Sequence, residues 1–391
     1  MDKQHVFIVG CKGIPTRYGG FETFVDKMTE YMSDDIKFHV ACLRSKEEYD
    51  KNNTEYEYND AHCFTIKQRV NGSAKAVFYD IDALKYCIKF IKEHNIENAI
   101  VYILACRIGP FVGRYVRQIH RLGGKVFINP DGQEWKRSKW NGLIKKYWKI
   151  SEKYMIKHGD LMVCDSMGIE NIIEKEYKKY NPKTTFIAYG AEVSKSKLTL
   201  EDEKVKKWFE SKGVKPNNYF LTVGRFVPEN NYEIIIKEYM RADTDKDLVL
   251  ITDYDTPFFE QIEKKTNFKK DKRIKFVGTV YDKELLKIIR ENALAYIHGH
   301  SVGGTNPSLL EALGLTDINL VYDVVFNREV AEQGALYWDE EFGLLAQRIE
   351  RVCNIEQANK EVLSREAKQR IIDYYNWENI CREYHKIFVE E

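Results

Sequence analysis

Short apolar strands alternate with helical stretches along the whole chain, and the alternation starts twice from a strand that runs into glycines. The first start is HVFIVG at 5–10, followed by a loop at 11–20 and helical periodicity over 21–32. Further strand candidates lie at 37–43, 61–66, 99–104, 125–129, 161–164 and 185–187, with helical stretches such as 79–94 between them. A charged, apolar-poor stretch near 194–204 intervenes, and the pattern restarts with strands at 219–223, 248–251, 274–277, 293–297 and 319–322. Strands that each lead into a helix cannot close as hairpins. They pair in parallel with crossover helices covering both faces, so the chain reads as α/β, with two doubly wound domains. Its 391 residues suit two cores better than one. The amphipathic segment 366–388, interrupted near Asn376, is expected to fold back across the first domain.

Charge and cysteine usage exclude several classes. With 61 basic and 60 acidic residues the net charge is +1, so no global field favours nucleic acid, and no nucleic-acid motif is present. The eight cysteines form no CxxC pair, which argues against a zinc site or a disulfide framework and for a reducing cytoplasm. The apolar run at 6–9 is too short for a signal peptide and reads as a first strand. No apolar stretch approaches the ~18 residues of a membrane span; 99–112 is broken by Arg107 and Pro110.

The most chemically suggestive segment is ALAYIHGHSVGGTNPSLLEA at 293–312. Asn306 suits a helix N-cap and Pro307 the first helical position, so the amides of Gly304, Thr305 and Asn306 can face an anion at the positive end of a helix. Glu311, one turn inside, can accept from a sugar hydroxyl, and His300 at the strand end suits a sugar contact. A glycine turn before a capped helix explains the same letters. In the first half, GCKGIPTRYGGFE at 10–22 has the wrong glycine spacing for a dinucleotide fold and lacks the Lys-Ser/Thr of a P-loop. Gly19 and Gly20 nevertheless suit close backbone approach of a ligand, flanked by Arg17 and Glu22. Arg225 directly follows the strand at 219–223, where its guanidinium can bind diphosphate oxygens in bidentate fashion or pair with Glu229 on the surface.

NPDGQEWKR at 129–137 also follows a strand, which points to Asp131 and, more weakly, Glu134, although turn formation alone selects Asn-Pro-Asp-Gly. Basic residues interleave with aromatics from Lys136 to Lys157. That pattern suits an anionic membrane surface, or equally a solvated helix whose Trp side packs inward. The triplets Asp80-Ile-Asp82 and Asp253-Tyr-Asp255 are weak metal signals, and His298 and His300 lack ligand partners at useful spacing.

Together these motifs resemble the retaining glycosyltransferases of family 4, of the GT-B fold. The likeness runs nearly end to end through the loop at 13–20, CDS at 164–166, IAYG at 187–190, VGRFVPE at 223–229, RIKFVGTVYDKELL at 273–286, SLLEA at 308–312, FNREVAEQG at 326–334 and YNW at 375–377. KGIPTRYGGFETF, NPDGQEW and GHSVGGTNPSLLEAL look like the bacterial rhamnosyltransferases of capsule and cell-wall polysaccharide synthesis. The resemblance implies two Rossmann-like doubly wound domains facing a cleft. The acceptor domain would be 1–193 with a returning C-terminal helix at 374–391, and the nucleotide-sugar domain 194–373. It further implies dTDP-L-rhamnose as donor and a lipid-diphosphate-linked glucose or N-acetylglucosamine as acceptor, with no cofactor and no metal. Asp131, Arg225 and Glu311 would be catalytic. Arg17, Gly19, Gly20, His300 and the Gly304-Thr305-Asn306 run would hold the donor, with Thr279, Val280 and Tyr281 at its base. Glu22, Glu134 and Arg137 would meet the acceptor, at the cytoplasmic face of the membrane.

Two positions depart from the family pattern. Asn230 stands where relatives carry a lysine five residues after the arginine, and Gly303 stands where they carry the first of two glutamates separated by seven residues. Backbone amides and His300 would then hold the sugar. Two other activities fit the same architecture: a nucleotide-sugar epimerase that needs no acceptor, and a non-catalytic sugar-nucleotide-binding adaptor.

Overall fold

Strand order, which no periodicity reveals, decides which loops become neighbours. The computed structural model describes residues 3–15, 19–32, 34–137 and 140–390. Arg17 therefore lies outside the described residues. The chain forms two units, Met1–Tyr189 with Trp377–Glu391, and Gly190–Asn376. The divisions expected after 193 and 373 thus fall a few residues away.

In the first unit the strands are β1 (Gln4–Val9), β2 (Ile36–Arg44), β3 (Glu55–Tyr58), β4 (Ala61–Lys67), β5 (Ile100–Leu104), β6 (Lys125–Asn129), β7 (Leu161–Cys164) and β8 (Thr184–Phe186). Helices α1 (Gly20–Tyr31), α2 (Lys75–Glu93), α3 (Gly109–Arg121), α4 (Gly142–His158) and α5 (Met167–Glu176) connect them. The sheet order is β3-β4-β2-β1-β5-β6-β7-β8, and every pairing is parallel except the β3-β4 hairpin. β5, IVYIL, is buried at every residue, as a parallel strand covered on both faces must be. In α3 the buried set Val112, Tyr115, Val116 and Ile119 follows one helical stripe onto that sheet.

The second unit has strands β9 (Tyr219–Val223), β10 (Asp247–Ile251), β11 (Ile274–Phe276), β12 (Ala295–His298), β13 (Asn319–Tyr322) and β14 (Leu336–Trp338), in the order β11-β10-β9-β12-β13-β14, all parallel. Its helices are α6 (Glu203–Lys212), α7 (Tyr232–Arg241), α8 (Pro257–Thr266), α9 (Lys283–Glu291), α10 (Pro307–Leu315), α11 (Val325–Ala331), α12 (Leu344–Cys353) and α13 (Gln357–Arg370). The edge strands β3 and β14 are additions to the sequence reading.

A widened helical turn at Ile371–Tyr375 and extended Asn376 separate α13 from α14 (Trp377–Val389), which belongs to the first unit. α14 docks there through aromatic contacts. The Tyr384 hydroxyl lies 3.1 Å from that of Tyr102, and the Phe388 ring stacks on Phe127 at 6.2 Å.

Candidate functional site

In the second sheet the chain moves outward in opposite directions from β9 and β12, which lie side by side. Their connections therefore diverge and leave a crevice at the carboxyl ends, the place where open α/β sheets take ligands. Gly224 and Arg225 leave β9 there, and residues 299–306 leave β12. Part-buried hydrogen bonds brace the two: the Tyr296 hydroxyl and Ser308 Oγ each donate to the Val223 carbonyl at 3.1 Å, and Arg290 Nη2 donates to Ser308 Oγ at 3.1 Å. Asn306 caps α10, its Oδ1 accepting from the Ser308 amide at 2.9 Å, with Pro307 at the first helical position.

Several hydrogen-bond donors remain unbonded at this corner. The amides of Gly303, Gly304 and Asn306 donate to no group among the described residues, while Thr305 between them is buried. The Arg225 side chain is exposed and makes no ion pair with Glu229 or any other described residue. His300 packs against Gly224, where a Cβ would stand a tight 3.2 Å from its Cε1. The ring stacks at 4.4 Å on that of His298, which is fully buried with both ring nitrogens unpartnered. Burial first, and His300 second, hold His298 well below the ordinary imidazole range, so it is neutral.

The two departures from the family pattern have structural causes. Gly303 adopts φ +130°, a region effectively reserved for glycine, although no atom lies within 4 Å of where a Cβ would be. A glutamate is excluded there by backbone conformation and not by crowding. Asn230 is buried, and its amide donates to the Arg225 carbonyl at 2.7 Å, so this side chain shapes the loop under the guanidinium. Glu311 is half-exposed and ion-paired at 2.6 Å to Arg290, itself only 3 % exposed. Thr279 and Tyr281 are exposed in the loop after β11, with Val280 half-buried.

The first sheet repeats the divergence between β1 and β5. Gly13, at φ +116°, leaves the loop only contact distance from Cys42 beneath it. Glu22 is buried and its Oε1 accepts from the Lys12 amide at 2.8 Å, so this carboxylate closes the loop ahead of Gly19 and Gly20. Sequence reasoning missed Arg107. It stands just past β5, its Nη1 donates to the Gly10 carbonyl at 2.8 Å, and it pairs at 3.4 Å with the wholly buried Asp80. Burial pushes the Asp80 carboxyl up to about 6 against the pull of that guanidinium. A lone arginine right after an all-apolar strand was the available signal. Asp80 and Asp82 do not act together, because Asp82 pairs on the surface with Arg69 and Lys85.

Asp131, Glu134 and Arg137 are brought together in the loop after β6. Arg137 Nε lies 2.6 Å from Glu134 and its Nη2 3.9 Å from Asp131, while Trp140 Nε1 donates to Glu134 at 2.9 Å. Among the described residues no group of three or more His, Cys, Asp or Glu side chains is placed to hold a metal ion.

Three kinds of likeness bear on this arrangement. Residues 3–192 match a domain of unknown function, DUF1972. An uncharacterized glycosyltransferase of Methanocaldococcus jannaschii, MJ1069, is 25% identical over 394 residues, spanning 95% of this chain and 94% of the relative. Among solved structures, sucrose-phosphate synthase of Thermosynechococcus elongatus matches with a TM-score of 0.79 at 14% identity over 99% of both chains. Anabaena Alr3699/HepE in complex with UDP and glucose matches at 0.71 and 12% identity, over 99% of this chain and 100% of that one. The fold is GT-B.

The basic aromatic run from Lys136 to Lys157 is divided; Lys139 lies outside the described residues. Trp148 is buried, the Tyr147 hydroxyl donates to the Arg107 carbonyl at 2.8 Å, and Lys149 is paired with Glu152 and Glu176. Exposed Lys146, Lys157 and Leu143, the last at 82 %, remain on the outer side of α4. No described helix is long and apolar enough to cross a membrane.

Proposed function

We propose that this chain is a retaining, metal-independent glycosyltransferase of family 4 type that moves L-rhamnose from dTDP-L-rhamnose to glucose or N-acetylglucosamine on a lipid diphosphate. The observation that carries the reading is the unbonded set at the β9/β12 crevice: three backbone amides at a helix N-terminus beside an unpaired arginine. A leaving diphosphate is the ligand that such a set fits, since charge grows on its oxygens as the sugar departs. That HepE binds UDP and glucose on the same fold supports a nucleotide-sugar donor.

The bond from sugar C1 to the diphosphate oxygen breaks, the acceptor oxygen bonds C1 on the same face, and the acceptor proton passes to the departing diphosphate. No protein nucleophile is needed. Arg225 and the amides of Gly303, Gly304 and Asn306 stabilise the leaving group, and Asp131 orients a hydroxyl of the sugar or the acceptor. Thr279, Val280 and Tyr281 meet the base, and Glu311, held by Arg290, reaches the 3′ hydroxyl of the deoxyribose. His300 and backbone amides hold the sugar in place of the absent first glutamate, which suits a deoxysugar. The enzyme works at the cytoplasmic membrane face, held there by the cations of α4.

The test is a panel of dTDP- and UDP-sugars against lipid-linked glucose and N-acetylglucosamine, with the product anomer read by NMR. Rhamnosyl transfer with retention is expected. A donor altered without acceptor would establish an epimerase, and tight donor binding without turnover on any acceptor an adaptor.

A further inference from the structure

The loop after β6 holds a polar group that the first unit does not satisfy. Gln133 is 7 % exposed, and its Nε2 has no hydrogen-bond partner among the described residues. It lines a cavity of about 10 Å³ together with Asp131, Glu152, Ile169, Ile172 and Ile173. That space admits one oxygen atom and little more. None of its other side-chain walls bonds the amide. The isoleucines are apolar, and the Glu152 carboxylate is committed to Trp135 Nε1 at 3.1 Å, Lys149 Nζ at 3.2 Å and the Tyr177 hydroxyl. Among the described residues Asp131 is the acid on the cavity with capacity to spare, its ion pair being the 3.9 Å approach of Arg137.

A donor amide and an accepting carboxylate at a one-oxygen space match a hydroxyl, which can accept from the first and donate to the second at once. We infer that Gln133 and Asp131 form a subsite for one hydroxyl of the acceptor saccharide, at the carboxyl end of β6. Gln133 is a binding residue here and takes no part in bond making. The inference rests on the transferase reading above and deepens it by assigning the acceptor end. It also explains why a buried amide is left without a partner in the protein alone: an unsatisfied polar group persists where a ligand completes it.

The experiment compares wild type with Gln133→Met, which keeps volume and removes both polar atoms. Three readings are taken: thermal midpoint, donor dissociation constant, and kcat and KM for the acceptor. With the orphaned amide gone, the midpoint should rise by ~2–4 °C. Acceptor KM should rise ~10-fold, the size of one lost hydrogen bond, with donor binding and kcat unchanged. A second arm uses acceptors that each lack one hydroxyl. One of them should lose ~10-fold with wild type and nothing further with Gln133→Met. An unchanged acceptor KM, whichever way the midpoint moves, would mean a structural water site only and overturn the subsite. If wild type transfers to no acceptor at all, the transferase reading falls and takes the subsite with it.

Discussion

Gly303 offers the cleanest separation of backbone conformation from crowding. A Cβ at this residue would meet nothing within 4 Å, so Gly303→Ala creates no clash, and its whole effect comes from φ +130°. Holding a non-glycine residue in such a region costs ~1–3 kcal/mol. In a unit of this size that corresponds to a thermal midpoint lower by ~2–12 °C if the loop keeps its shape. If the loop relaxes to escape the strain, the amides of Gly303 and Gly304 turn away from the crevice. Losing one hydrogen bond to a charged phosphate, ~1.5–3 kcal/mol, weakens dTDP binding roughly 10- to 150-fold. Gly343→Ala is the control. It has positive φ (+83°) and equally open surroundings, but lies before α12, so it should lower the midpoint and leave nucleotide affinity alone. Gly303→Glu should behave as Gly303→Ala and restore no sugar contact, because the conformation and not the available space excludes the carboxylate. Differential scanning fluorimetry with and without dTDP, and calorimetric titration of dTDP, measure both quantities. A Gly303→Ala protein with wild-type midpoint and wild-type dTDP affinity would refute the reasoning.

Arg225→Ala should leave the thermal midpoint unchanged, since the side chain has no partner to lose, and should reduce kcat by ~10²–10³, the effect of removing one charge-stabilising donor; near-normal turnover would remove Arg225 from the site. His298 makes stability fall on the acid side. The unfolded chain takes up a proton below about pH 6.5 that the buried ring refuses, at ~1.4 kcal/mol per pH unit until the depressed folded value is reached. His298→Leu, which loses no hydrogen bond, should therefore flatten the drop in midpoint between pH 7 and pH 5, and parallel profiles would count against it. Sedimentation with anionic liposomes should fall ~30-fold on removing both Lys146 and Lys157, at ~1 kcal/mol per lysine, and should weaken with added salt; binding indifferent to both would end the membrane assignment.

Much of this protein was legible in one dimension. Periodicity gave the parallel α/β class, because a strand that leads into a helix has to cross over before it pairs again. The letters Asn306-Pro307 gave the capped start of α10, because capping depends on side chains a few residues apart. Asp131 was legible as a strand-end acid for the same local reason. Properties that depend on distant segments were not. Asp80 read as half of a weak metal signal, and only the fold buries it wholly against Arg107. Glu22 stands beside the glycine pair in sequence, and only the fold brings its carboxylate onto the Lys12 amide. Trp148 read equally well as a membrane anchor or a core residue until α4 packed, burying the indole and leaving Lys146 outside. The strand orders that set β9 beside β12 and β1 beside β5 have no local signature, since every parallel strand presents the same ladder of donors and acceptors to its neighbours. The sequence by itself determined which loops carry glycine, arginine and acid, through short-range rules of capping and turn formation. Only the tertiary structure decided which of those loops share a crevice, because that follows from how buried helices and strands fill space together.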